Sequence, residues 1–105
     1  MDAVKALAAL AQETRLNLYR TLVRHGPDGL PAGELATRLN MSPSGLSFHL
    51  KALAEAGLVV GTPEGRFVRY HAHIETMQAL IDFLSAECCD GQPEACFQRP
   101  PLSCK

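Results

Sequence analysis

Asn40-Met41-Ser42-Pro43-Ser44-Gly45-Leu46-Ser47-Phe48-His49-Leu50-Lys51-Ala52-Leu53-Ala54-Glu55-Ala56-Gly57-Leu58-Val59 is the stretch on which the fold turns. Ser42 offers a side-chain oxygen to the free N–H groups that open a helix, and Pro43 suits the first helical position, where no donor is needed. Gly57 is placed to end that helix in a left-handed turn before Leu58-Val59-Val60 runs on as a strand. At about 100° per residue, Leu46, Leu50 and Leu53 fall within about 60° of one another and define a core face. Phe48 lies about 200° from Leu46, with Ser44, Lys51 and Ser47 at roughly 160°, 140° and 100°. A large aromatic turned away from the core, among small polar residues and a cation, is the layout of a helix that reads DNA; the other reading is a surface helix with one stray aromatic. His49 sits on the flank at about 300°, either as a packed, hydrogen-bonded residue or as a further DNA contact.

Upstream, Asp2 to Leu10 reads as a short amphipathic helix with Val4, Leu7 and Leu10 on one side. A second helix, from about Glu13 to Arg24, is expected to bury Leu16, Tyr19, Leu22 and Val23. Gly26-Pro27-Asp28-Gly29 is a turn cluster. A third helix starts near Pro31 and buries Leu35 and Leu39, and Asn40 takes the tight turn before Ser42. That helix, a short turn and the helix from Pro43 make a helix-turn-helix.

Downstream, strands at Leu58–Gly61 and Arg66–Ala72, joined by Thr62-Pro63-Glu64-Gly65, form a β-hairpin. A hairpin directly after a recognition helix is a wing. Its Arg66 and Arg69 are placed to meet phosphates or the minor groove, or else are solvated edge-strand charge. Residues 74–87 form a last helix, in which Ile74, Met77, Ile81 and Leu84 recur at 3-4-3 spacing and Leu80 widens the stripe. Its partner is either the first helix or, as favoured here, a second copy of the chain. The expected fold is mainly α with a small β-hairpin: a dimeric winged helix-turn-helix in the order α-α-α-α-β-β-α. Residues 1–87 form the DNA-binding and dimerisation domain and residues 88–105 a cysteine-containing tail.

Composition agrees with a small α-rich domain: of 105 residues 47% are hydrophobic but only 6% aromatic, with no Trp. A chain this short has a modest core, and Leu/Ala-rich helices favour association. The net charge of −1 is unhelpful for a nucleic-acid binder until it is divided. Residues 1–73 hold eight Lys/Arg against six Asp/Glu, and residues 74–105 hold two against five. DNA affinity would therefore come from a local basic patch. The longest apolar segment, Val4 to Ala11, is interrupted by Lys5 and too short to span a bilayer, and no signal peptide is apparent. The chain is expected to be cytoplasmic, where four cysteines suggest metal or redox chemistry before structural disulfides. Neither a phosphate-cradling loop nor a paired acid–base constellation is present, so an enzyme is not expected. A metal-buffering protein would leave the helix-turn-helix idle.

Three signatures now come together: Glu13-Thr14-Arg15-Leu16 opening the second helix, Gly33-Glu34-Leu35-Ala36 in the third, and Ser47-Phe48-His49-Leu50-Lys51-Ala52-Leu53 followed by Ala56-Gly57-Leu58-Val59. With them the chain resembles the ArsR/SmtB family of winged-helix repressors over residues 2–87. The resemblance implies a homodimer on double-stranded operator DNA that lets go when a metal or metalloid binds. It implies DNA contacts by Ser44, Ser47 and Lys51, with His49 in support and Arg66 and Arg69 serving the wing. Ser42 at the head of the helix is counted with them, and Phe48 is expected to touch a base or a thymine methyl. The family's sensing sites vary. An arsenic site with Cys-x-Cys in the third helix is absent, because Gly33 to Asn40 holds no cysteine. A zinc site on the last helix is incomplete: His71 and His73 precede that helix, and Asp82 and Glu87 have no histidine at helical spacing. The two histidines read as polar residues closing the second wing strand.

What remains is Glu87-Cys88-Cys89-Asp90-Gly91-Gln92-Pro93-Glu94-Ala95-Cys96, with Cys104 near the terminus. It resembles the subgroup that binds trivalent arsenic through a C-terminal Cys-Cys and one further Cys. The resemblance implies As(III) or Sb(III) as inducer, held by Cys88, Cys89 and Cys96, with no organic cofactor. The chemistry fits: As(III) is soft and carries a lone pair, so it favours a pyramid of three thiolates over carboxylate or imidazole. A methylated arsenical needs only two. A four-thiolate zinc site would show C-x2–4-C spacing, which is lacking. A reversible disulfide switch is the other reading, although Glu87, Asp90 and Glu94 disfavour thiolate formation.

Overall fold

The computed structural model describes residues 2–86, so Cys88, Cys89, Cys96 and Cys104 lie outside the described residues. Its elements are α1 (Ala3–Leu10), α2 (Glu13–His25), β1 (Leu30–Pro31), α3 (Ala32–Leu39), α4 (Pro43–Glu55), β2 (Val59–Glu64), β3 (Phe67–Ala72) and α5 (Ile74–Leu84). Five helices and a small antiparallel sheet give the winged helix-turn-helix architecture expected from the sequence.

The local chemistry of α4 explains its position. The Gly45 N–H donates to Ser42 Oγ at 3.1 Å, and Pro43 opens the first turn. Leu46, Leu50 and Leu53 are buried, each contributing about 1.5–3 kcal/mol relative to exposure. The helix stops where Gly57 adopts φ 77° and the Leu58 N–H returns to the Leu53 carbonyl at 3.0 Å. The turn before it is equally specified. Asn40 is left-handed at φ 53° and ψ 49°, and the Met41 N–H reaches back to the Ala36 carbonyl at 2.9 Å. Helix α3, this turn and α4 form the helix-turn-helix, and α2 packs against α4 behind it.

Helix α1 buries a face other than the expected one, and α2 buries Tyr19 and Leu22 as expected but not Leu16. In α1 the buried residues are Ala6 and Ala9, with Ala3 and Leu10 packed against the core, while Val4 and Leu7 face outwards. Small alanines let α1 lie close to its neighbours, and the larger side chains are left for another surface. In α2 the buried residues are Leu18, Tyr19 and Leu22; Leu16 is exposed and Val23 only partly covered. Leu16 stands about 200° from Leu18 around the helix, so both cannot face inwards.

The sheet also departs from a simple hairpin, because β1 adds a third strand in the order β1-β3-β2. Leu30 is in register with Tyr70 and Pro31 with Arg69. Only glycine fits before this strand: Gly29 has φ 72°, and a Cβ there would lie 2.5 Å from the Tyr70 carbonyl oxygen. The hairpin turn is shorter than Thr62-Pro63-Glu64-Gly65. Glu64 already pairs with Phe67, leaving Gly65-Arg66 as a two-residue turn. Pro63 sits within β2, opposite Val68, which is tolerated because β2 is an edge strand. Helix α5 ends at Leu84 and contacts α1; Leu80 is buried and Met77 half-buried, whereas Ile74, Ile81, Phe83 and Leu84 are exposed. Within the described residues, no helix is long and apolar enough to cross a membrane.

Candidate nucleic-acid interface

The outward face of α4 carries the side chains the sequence placed there. Phe48 is 68% exposed, and Ser42, Ser44, Ser47 and Lys51 are exposed beside it. Ser42 Oγ is committed to the Gly45 N–H and lies 3.4 Å from Ser44 Oγ, so it anchors the first turn as well as lining the face. The face is therefore an apolar ring bordered by hydroxyls and one ammonium group. That set suits contact with base edges, a thymine methyl and adjacent phosphates.

His49 is partly buried and packs edge-on against Phe48, with ring centroids 5.3 Å apart and planes at 75°. Arg15 Nη1 approaches His49 Nδ1 at 3.4 Å. A guanidinium can only donate, so this contact requires an unprotonated Nδ1. Of the two roles open to His49, the geometry supplies the packed and hydrogen-bonded one.

Arg15 itself is what the sequence reading missed. It lies at the middle of the inward face of α2, about 60° from Leu18 on the helical wheel. Its Nε donates to the Ala9 carbonyl at 2.7 Å, its backbone N–H is capped by Gln12 Oε1 at 2.8 Å, and its Nη1 reaches α4. One side chain thus joins α1, α2 and the recognition helix. The available signal was its angular position, since a charged residue at the centre of an apolar stripe needs fixed partners.

The two wing arginines differ. Arg69 donates to both carboxylate oxygens of Glu64, at 3.0 and 3.3 Å, and its Nη1 reaches the carbonyls of Gly29 at 3.2 Å and Asp28 at 3.4 Å. The hydrogen bonds that Arg69 donates to Glu64, then the carboxylate's charge, raise the Arg69 pKa above its ordinary value, so the group stays cationic. This arginine braces the wing against the turn that precedes β1. Arg66 at the hairpin tip is exposed and makes no hydrogen bond or ion pair with another described residue. Exposed Phe67 stands beside it.

His71 and His73 line a cavity of about 430 Å³ with Leu22, Val23, Ile74 and Glu75. Both nitrogens of His73 are engaged, Nδ1 with Thr76 Oγ1 at 2.6 Å and Nε2 with Glu75 Oε2 at 3.4 Å. Among the described residues no three His, Cys, Asp or Glu side chains converge as metal ligands.

Residues 10–62 match the family model described as a helix-turn-helix domain. The chain is 37% identical over 89 residues to the transcriptional activator HlyU of Vibrio cholerae, spanning 85% of this chain and 80% of that protein. It superposes on an ArsR-like transcriptional regulator from Rhodococcus sp. RHA1 with a TM-score of 0.73 and 30% identity, over 90% of this chain and 86% of that one. The chain belongs to the ArsR/SmtB family of winged-helix transcriptional regulators. Another relative of this family is the regulator NmtR of Mycobacterium tuberculosis, 38% identical over 81 residues, which are 77% of this chain but only 65% of NmtR. The antimony-specific repressor AntR superposes with a TM-score of 0.61 and 26% identity, over 91% of this chain and 80% of that one. As an ArsR/SmtB member the chain is a DNA-binding regulator of transcription and not an enzyme.

Proposed function

We propose that this chain is a cytoplasmic homodimeric repressor that occupies operator DNA and releases it when trivalent arsenic or antimony is captured by Cys88, Cys89 and Cys96. The observation that carries the DNA-reading part is the exposed Phe48 among Ser44, Ser47 and Lys51 on a helix whose opposite face is buried. In this reading Ser42 and Ser44 approach phosphates, Phe48 and Ser47 the bases, and Lys51 and Arg66 neutralise backbone charge. His49 holds Phe48 in position. Arg69 acts through Glu64 and the 28–29 carbonyls by fixing the wing.

Dimerisation is supported by the outer sides of the adjoining helices α1 and α5. Val4, Leu7, Ile81 and Leu84 are all at least 42% exposed, a set of apolar side chains that a second copy would cover. A dimer would present two α4 helices to successive major grooves, about 34 Å apart. The inducer reading is supported by the softness of three closely spaced cysteines, and by the antimony specificity named for AntR. The tail follows the end of α5, so capture there would act on the dimer helix and reach α4 allosterically, with a coupling of roughly 1–3 kcal/mol.

The test is fluorescence anisotropy on DNA from upstream of the chain's own gene, titrated with As(III), methylarsenite, Sb(III), Zn(II) and peroxide. Release by As(III) or Sb(III), lost in Cys88→Ser and Cys89→Ser with DNA binding intact, is the expected result. Release by methylarsenite alone would assign the methylated form and a two-thiolate site. Release by peroxide or zinc without As(III) would overturn the inducer reading and leave the DNA reading standing.

A further inference from the structure

The free cations of the described fold are not concentrated on α4. Arg20, Arg24 and Arg38, with Asn17, Thr21 and Leu39, line an open cleft between α2 and α3. Arg20 and Arg24 are exposed and make no hydrogen bond or ion pair with another described residue. Arg38 is joined to Glu34 at 3.2 Å, in a pair that is half-exposed on both sides. The cleft therefore holds three guanidinium groups with one carboxylate on its α3 rim. Arg20 and Arg24 are also spaced i, i+4 on one helix face, where like charges destabilise a helix standing alone. That repulsion is relieved by an anion lying across both.

The position of the cleft indicates which anion. Its Leu39 rim runs into the Asn40–Met41 turn and Ser42, the head of the recognition helix. Its Leu16–Asn17 end adjoins Arg15, which touches His49 on the same helix. In helix-turn-helix complexes the N-terminal residues of the recognition helix meet the base edges while the helix before it crosses the backbone. Here that preceding helix is α3, and the arginine-lined groove lies between it and α2. Forked guanidinium groups bind phosphate bidentately, and the neighbouring Thr21 and Asn17 add neutral donors.

We infer that the α2–α3 cleft is a second, sequence-independent site for the phosphate backbone of duplex DNA, held by Arg20 and Arg24 with Arg38 at its edge. The inference rests on α4 being the helix that seats DNA. It adds a clamp beside the reading face, so that part of the affinity comes from a surface that sees no bases.

The test uses a mixed-sequence duplex of about 40 base pairs, because phosphate contacts dominate non-specific binding. Affinity is measured between about 50 and 200 mM salt for wild type, Arg20→Gln/Arg24→Gln, Lys51→Ala/Arg66→Ala and Phe48→Ala. Each phosphate contact contributes about 0.9 to the slope of log affinity against log salt, so the double glutamine variant should flatten that slope by about two per protomer. Its affinity at 0.1 M salt should fall by at least roughly tenfold, with a melting temperature equal to or above wild type because the like-charge pair is gone. Phe48→Ala should leave the slope unchanged. An unaltered slope in Arg20→Gln/Arg24→Gln, with a flattened one in Lys51→Ala/Arg66→Ala, would overturn the clamp and preserve the role of α4. Absence of salt-dependent duplex binding by the wild type would overturn both. If a polyglutamate peptide perturbs the amide resonances of the cleft and the duplex does not, the surface is a docking site for an acidic protein and the inference is wrong.

Discussion

Removing the Arg15 side chain should loosen the junction of three helices, by an amount the geometry allows to be worked out. In Arg15→Ala the Ala9 carbonyl loses a donor at 2.7 Å, a hydrogen bond to a charged group that contributes about 1.5–3 kcal/mol. The cation also stands near the C-terminal end of α1, where it offsets the helix dipole by roughly 0.3–1 kcal/mol, partly the same energy counted twice. The 3.4 Å approach to His49 is too long to add much stability, although it orients the ring. A loss of about 2 kcal/mol is expected. For a fold of this size that is a fall of about 8–16 °C in melting temperature, readable by circular dichroism and urea titration. Arg15→Lys keeps the charge and one donor for Ala9 but has no second arm for His49, so it should recover about half the stability and less of the DNA affinity. Two outcomes would refute the bridge: an Arg15→Ala protein that melts within about 2 °C of wild type, or an Arg15→Lys protein whose DNA affinity returns fully with its stability.

Phe48→Ala should leave the melting temperature within about 2 °C of wild type, since the ring is exposed, yet weaken operator binding by the roughly 1–3 kcal/mol of one specific base contact; gel-shift titration reads the difference. Gly29→Ala combines a positive φ with a clash against Tyr70, so it should cost at least about 2 kcal/mol in a denaturant melt; a neutral outcome would mean that β1 does not depend on that close approach. Ile81→Glu places a charge on the outer side of α5 and should give a folded monomer by sedimentation velocity, with a matching loss of DNA affinity. Ser42→Ala should remove about 1 kcal/mol by leaving the Gly45 N–H uncapped, measurable as a lowered urea midpoint.

The parts of this fold that could be read from the sequence are those where one local rule dominates. Helix α4 has a capping serine, a first-turn proline, leucines at helical spacing and a terminating glycine, all of which agree. Its exposed candidate face, with Phe48 outwards, followed from the same angles. The buried face of α1, and the place of Leu16 in α2, do not follow from the rule that the largest apolar residues lie inside, although Tyr19 and Leu22 obey it. In α1 the close approach is made by alanines, and in α2 the inward face of Leu18, Leu22 and Tyr19 also holds the bonded Arg15. Strand β1 left no pattern, because two residues are too few for alternation and its partner lies about forty positions away. Pro63 reads as a turn residue in the sequence, but its edge position lets it stay in a strand. The different fates of Arg66 and Arg69 were not visible either, since the sequence reads as one strand through both, whereas Arg66 lies in the turn and Arg69 is tied to Glu64 and the 28–29 backbone.

The bracing of Arg69 has a mechanical consequence. Arg69 makes two hydrogen bonds to Glu64 within its own hairpin and two more to the turn before β1, so the wing cannot swivel independently to suit whatever groove it meets. With the outer sides of α1 and α5 as the proposed dimer seam, α4 and the hairpin would move as one stiff arm pivoting there. Small rotations at that pivot are magnified at the tip, and any misfit has to be absorbed by bending the duplex. A site whose base steps deform easily would be favoured on that ground alone, including at positions that no side chain reaches.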